Sequence, residues 1–160
     1  MKKALFLDRD GVLNRERGDY TYLVEDFEVL PDVSAALKLA KKKGYLLIVI
    51  SNQGGIAKGL FDENRVEKLH GMMCDELAKD SISFDAIYYC QHHNEIGKCI
   101  CRKPGSLMLE KAIARFNIDV EKSVMIGDSQ RDVDAAAKAG VRGFLIESNS
   151  GILKIVEGLK

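Results

Sequence analysis

Short, continuously apolar runs alternate along this chain with longer stretches in which apolar residues recur every three or four positions. The first run, 4–7, has the length of a strand and ends abruptly in charged residues. A polar, charge-mixed stretch over 14–31 follows and predicts an irregular segment. Beyond Pro31, the residues Val33, Ala36, Leu37 and Ala40 share one helical face. Asp32 is placed to serve the amino end of that helix, and Lys41, Lys42 and Lys43 before Gly44 suit its carboxyl end. Residues 45–50 are apolar throughout and rich in β-branched side chains, as a strand covered on both faces requires. Val66, Leu69, Met73 and Leu77 mark a second helix, with Asp62 as its cap, and 84–89 reads as a third strand. Leu109, Ala112, Ile113 and Phe116 form the face of a helix after Pro104, whose fixed φ suits a first turn. A strand over 123–126, a short helix through Val133, Ala136 and Ala137 closed by Gly140, and a strand over 141–146 come next. Ile152, Ile155, Val156 and Leu159 give a terminal helix. This alternation predicts an α/β fold of three layers, Rossmann-like, with a central, mostly parallel sheet. Such sheets bind ligands beyond the carboxyl ends of their strands, where Asp8, Ser51 and Asp128 all fall.

Composition narrows the picture. A chain of 160 residues, 46% hydrophobic and without a linker-like stretch, reads as a single domain over 1–160. Its 24 basic and 24 acidic residues are spread evenly, so no long-range field draws it to nucleic acid or to an anionic membrane. No apolar segment is long enough to span a bilayer, and the stretch between Lys3 and Asp8 is too short for a signal-peptide core. The expectation is a cytoplasmic, monomeric protein acting on a small molecule. Of the four cysteines, Cys90, Cys99 and Cys101 crowd into one short segment of a chain without an export signal, which favours metal ligation over disulfides. Cys74 reads as an ordinary half-buried thiol on a helix.

The chemistry concentrates at the strand ends. Asp8 and Asp10 leave the first strand on one face, while Arg9 is expected to point away. Two carboxylates this close raise each other's pKa or demand a cation. Asp8 is suited to attack a phosphoryl group, Asp10 to move a proton, and Gly11 to make the tight turn between them and the rest of the chain. Asp128 would complete a magnesium shell with Asp8, the Asp10 carbonyl and water. Asp132, one turn further, either orients a metal-bound water or Lys103, or simply sits at a helix amino end. Ser51-Asn52-Gln53-Gly54-Gly55 can cradle phosphate oxygens with backbone amides and a hydroxyl, and Lys58 extends the positive rim. Lys103 can pair with a transferring phosphoryl group, and Arg102 can grip a second anionic or polar part of a substrate. Cys90, His92, Cys99 and Cys101 offer a tetrahedral zinc set that would pin a polar loop over 90–101, with His93 competing for the place of His92.

These motifs resemble the haloacid dehalogenase superfamily of phosphatases: Asp8-Arg9-Asp10-Gly11-Val12, the Ser51 position, Lys103 and Gly127-Asp128 match its signatures. Phe6 to Asn14, Ser51 to Gly59 and Cys99 to Pro104 are similar to the zinc-containing D-glycero-D-manno-heptose-1,7-bisphosphate 7-phosphatases, with histidinol-phosphate phosphatases as close relatives. The resemblance implies a fold without a large cap domain and a phosphomonoesterase working through an aspartyl phosphate. Asp8 would be the nucleophile and Asp10 the acid/base. Ser51, Asn52, Arg102 and Lys103 would meet substrate. Magnesium would sit on Asp8, Asp10 and Asp128, and zinc on Cys90, His92, Cys99 and Cys101. The implied partner is a small phosphorylated metabolite, a heptose bisphosphate before histidinol phosphate. Two departures touch recognition: Ser51 replaces a usual threonine, and Ser129 stands where a lysine or arginine commonly follows the metal aspartate.

Overall fold

In the computed structural model, which describes all 160 residues, five strands form one sheet in the order β3-β2-β1-β4-β5, every pair parallel. The strands are β1 (Lys3–Leu7), β2 (Tyr45–Asn52), β3 (Ala86–Cys90), β4 (Val124–Gly127) and β5 (Arg142–Leu145). The helices are α1 (Val33–Lys42), α2 (Glu63–Ala78), α3 (Leu107–Phe116), α4 (Gln130–Lys138) and α5 (Leu153–Gly158). Side-chain alternation along β1 divides the core. Leu5 and Leu7 join α1, α2 and α5 on one face, while Ala4 and Phe6 join α3 and α4 on the other. This two-sided burial explains the unbroken apolar run in β2, where Leu47 and Val49 face one layer and Ile48 and Ile50 the other.

Strand order reverses between β1 and β4: β2 and β3 extend to one side, and β4 and β5 to the other. The crevice that opens beyond the carboxyl ends at such a point is where Asp8 and Asp128 leave their strands. Connections between elements are loops and single-turn helices at 24–26 and 120–122, with no inserted cap domain.

Two local expectations change. Asp32 does not cap its own helix; its carboxylate accepts hydrogen bonds from the Ile152 and Leu153 amides at 2.6 and 2.9 Å, capping α5 instead. Pro104 lies before Gly105 and Ser106 and outside α3, so its ring occupies a turn and not a helical first residue. Asp62 caps α2 as expected, through the Arg65 amide.

Candidate active site

Asp8 extends the β1–β4 ladder by one residue, its amide donating to the Ile126 carbonyl at 3.0 Å, and this fixes where its carboxylate points. The chain then turns at Gly11, whose φ of 82° and lack of a side chain are both needed, because a Cβ there would collide with Asp128. Gly127, at the end of β4, likewise leaves room for Asp132, against which a Cβ would collide. Carboxylate oxygens of Asp8, Asp128 and Asp132 come within 4.8 Å of one another. The Asp10 carboxylate does not join them. It is held by Arg9 at 2.8 and 3.2 Å, by Asn14 at 2.9 Å and by Gln53 at 3.0 Å, and only its backbone carbonyl, which accepts no backbone hydrogen bond, remains available toward a cation. Arg9, expected outward, is almost wholly buried.

One cation serves the acidic cluster. Lys103, buried, ion-pairs with Asp8 at 2.8 Å and Asp132 at 2.6 Å and donates to the Ile50 carbonyl at 2.7 Å. Asn52 positions it, accepting from the Lys103 amide at 3.0 Å and donating to the Lys103 carbonyl at 3.1 Å, while still lining the cavity. Asp132 fills both roles open to it from sequence, pairing with Lys103 and accepting from the Ser129 amide at the start of α4. Burial raises the Asp8 carboxyl, Lys103 pulls it down, and Asp132 and Asp10 raise it again, leaving it at about 7. A single lysine therefore does not neutralise this cluster, and hard oxygens this close fit a divalent cation such as magnesium. Asp10 differs: burial raises it too, but the Arg9 charge and the hydrogen bonds from Arg9, Asn14 and Gln53 bring it below the usual value.

These groups open onto a cavity of about 570 Å³ lined almost entirely by polar residues. Asp8, Asp10 and Asp128 occupy its floor, and Lys103, Arg102, Arg131 and His93 supply positive or titratable groups. The amides of Arg9 and Asp10 donate no hydrogen bond, leaving them free for an anion beside Asp8. Ser51 is fully buried and does not line the cavity; its hydroxyl accepts from Gln53 at 2.8 Å. Lys58 pairs with Glu95 at 3.0 Å and lies 5.8 Å from the Tyr20 ring, joining three loops at the rim. Sequence reasoning missed Ser148, which donates to Asp128 at 2.5 Å from beyond β5; a lone serine after a strand carries no signal. It also missed Gln53 as a bridge from Asp10 to Ser51, although the residue lies inside a motif already singled out.

The cysteine loop closes on itself. The Cys90 Sγ is 3.7 Å from that of Cys99 and 3.2 Å from that of Cys101, and His92 Nδ1 is 3.4 and 3.2 Å from Cys90 and Cys101. Bonds of about 2.3 Å to one tetrahedral zinc would put sulfurs about 3.8 Å apart, which the Cys90–Cys99 pair matches and which the Cys90–Cys101 pair would reach by opening slightly. His93 is outside the set; its Nδ1 accepts from the Glu95 amide. Burial pushes the Cys90 thiol up to about 12, so a bound cation is what would hold it as thiolate.

Behind Asp10, His70 of α2 is buried against the Tyr89 ring at 5.6 Å, its Nε2 without a partner. Burial, reinforced by Arg9 and opposed by Asp10, lowers it to about 4. The unfolded chain then binds a proton that the folded one refuses, so stability is present above about pH 6.5 and lost as pH falls toward 4. His70→Gln is expected to reduce the loss of unfolding free energy between pH 7 and pH 4.5 by about 2 kcal/mol, read from urea titrations at the two pH values.

A family model described as HAD-hydrolase-like matches residues 100–152. The D-glycero-beta-D-manno-heptose-1,7-bisphosphate 7-phosphatase of Haemophilus influenzae is 43% identical over 99% of this chain and 89% of its own length. The D-glycero-alpha-D-manno-heptose-1,7-bisphosphate 7-phosphatase of Campylobacter jejuni is 42% identical over 92% of this chain and 83% of its own. Among solved structures, the D,D-heptose 1,7-bisphosphate phosphatase of B. bronchiseptica, complexed with magnesium and phosphate, superposes with a TM-score of 0.85 at 32% identity, over 99% of this chain and 88% of that one.

Proposed function

This chain belongs to the haloacid dehalogenase-like hydrolases, in the branch of the heptose-1,7-bisphosphate 7-phosphatases, and we propose that it removes the 7-phosphate of D-glycero-D-manno-heptose 1,7-bisphosphate. The observation that carries this reading is the buried Asp8–Lys103–Asp132 triad beside Asp128, at the edge of an open, polar cavity. The fit of Asp8, Asp128 and the Asp10 carbonyl to a hard cation supports magnesium, which when bound neutralises charge on the transferring phosphoryl oxygens.

The chain's own groups divide the remaining work. The Arg9 and Asp10 amides and the Lys103 ammonium orient the phosphoryl group against Asp8. An Asp8 oxygen forms a bond to phosphorus as the bond to the sugar oxygen breaks, and Asp10 gives that oxygen a proton. Asp10 then takes a proton from water as the water oxygen bonds phosphorus and the Asp8–phosphorus bond breaks, restoring both side chains. Because Asp10 is held below its usual value in the resting site, the negative phosphoryl group beside it is what would raise it enough to carry the proton. Ser51 contributes through Gln53, which it anchors, and Arg102 faces the rest of the substrate.

Residues 1–160 would act as a single catalytic domain, as a cytoplasmic monomer on a free metabolite. No helix is long and apolar enough to cross a membrane. Phosphate release from both anomers of the heptose bisphosphate, from histidinol phosphate and from simple sugar phosphates, each with and without magnesium, tests the substrate. The expected result is at least tenfold preference, by kcat/KM, for a heptose bisphosphate, with one phosphate lost per molecule; roughly 1.4 kcal/mol of differential transition-state binding suffices. Preference for histidinol phosphate would overturn it.

We assign zinc to Cys90, His92, Cys99 and Cys101, as a structural site with no open position. Its role is to hold the loop that carries His93, Glu95 and Arg102 at the cavity rim. Chelation of the reduced protein is expected to release one zinc, lower turnover and leave magnesium affinity unchanged, as read by metal analysis and calorimetry. Absence of zinc from carefully reduced protein would rule the assignment out.

A further inference from the structure

Arg9 has one of the largest fully buried side chains in the molecule, at 1% exposure, and although the residue lies between Asp8 and Asp10 and its amide faces the anion site, that side chain does not line the cavity. Its Nε and Nη2 donate to the two oxygens of Asp10 at 3.2 and 2.8 Å, a fork that lies against both oxygens of the carboxylate at once. The same Nη2 donates to the Thr21 carbonyl at 3.2 Å, and the Phe27 ring covers the guanidinium at 5.7 Å. Asn14 adds a second donor to one Asp10 oxygen and Gln53 a second donor to the other. A side chain that merely balanced charge would need no fork and no burial, since a buried cation is costly unless firmly paired. A lysine in this place could not hold two oxygens in plane.

We propose that Arg9 is a positioning residue: its buried fork fixes the orientation of the Asp10 carboxylate, while the Asn14 or Gln53 amide yields the carboxylate lone pair it occupies to the proton that Asp10 exchanges with the leaving oxygen and then with water. This rests on the phosphatase reading above and deepens it. The Thr21 contact extends the same clamp to the loop over 15–28, so the acid/base and the cavity wall that carries Tyr20 are set by one side chain.

The test exploits a leaving group that needs no proton. In Arg9→Met, kcat on the sugar phosphate turned over fastest by the unsubstituted protein should fall roughly 100-fold with KM within about threefold, as a displaced catalytic group predicts. Single-turnover release of p-nitrophenol from p-nitrophenyl phosphate should stay within about threefold, because that departure draws little on Asp10. Magnesium affinity, by calorimetry, should be unchanged. Arg9→Lys keeps the charge and should show the same split, reduced; it carries the test if Arg9→Met does not fold. Equal losses on both substrates, a parallel loss of magnesium binding, or undiminished turnover would each overturn the proposal. If the unsubstituted protein releases no phosphate from any monoester, it is the phosphatase reading that fails, and the positioning role falls with it.

Discussion

Asp8→Asn is expected to reduce magnesium-dependent phosphate release by roughly 10⁴-fold or more, while leaving the metal-free protein at least as stable as before. Loss of activity follows from removing the proposed nucleophile, for which no neighbouring carboxylate can substitute: Asp10 is clamped by four hydrogen bonds, Asp128 is held by the Ser148 hydroxyl, and Asp132 is tied to Lys103 and the Ser129 amide. Stability follows from linkage. The Asp8 carboxyl sits at about 7 in the folded state against an ordinary value of 3.8, so above pH 7 folding must ionise a buried acid that resists it. That cost disappears as pH falls, and it disappears at every pH when the acid becomes an amide. Thermal melts in the presence of a chelator at pH 8 should therefore show a midpoint equal to or above that of the parent. Appreciable retained turnover would remove Asp8 from the mechanism; a large drop in midpoint would mean that its charge stabilises the fold.

Lys103→Met should do the opposite on the second count. It removes the only cation buried between Asp8 and Asp132 and leaves two carboxylates facing each other without compensation. Breaking a buried pair from one side costs about 3–5 kcal/mol, which lowers the melting midpoint of a chain this size by roughly 10 °C. Turnover should fall by about 10²–10³-fold, the magnitude associated with losing one charged donor to a transition state. Added magnesium should restore part of the midpoint but little of the activity. Combining the substitution with Asp8→Asn should recover stability relative to Lys103→Met alone, a non-additivity that signals direct coupling. Full additivity of the two would contradict the ion pair.

Much of this architecture is legible in the residue pattern alone. The five apolar runs, their spacing and the acidic or hydroxyl residues that end them place Asp8, Ser51 and Asp128 at one sheet edge, because burial on both faces of a parallel strand leaves a strong signature. The cysteine loop is equally plain, since few other reasons gather thiols and an imidazole in a polar segment. What escapes is direction. Strand alternation points Arg9 outward only if it is carried one residue too far; the backbone has already left the extended path for the turn at Gly11, and the side chain folds back on Asp10. Ser51 ends a strand as expected, yet it is sealed beneath Gln53, and Asn52 spends its amide on Lys103. Asp32 and Ile152 meet across most of the length of the chain, a distance over which local pattern carries no information.

That last contact has a bearing on how the protein is made. The layer that contains α1 also takes Ile152 and Val156 into its buried core, and the Asp32 carboxylate fastens the helix that brings them. Those residues follow every proposed catalytic group in the chain, so a nascent chain that has emerged only through Asp132 still displays an oily, uncovered flank. Aggregation during synthesis, and any demand for a chaperone, should centre on that flank until residues 152–159 emerge and close it.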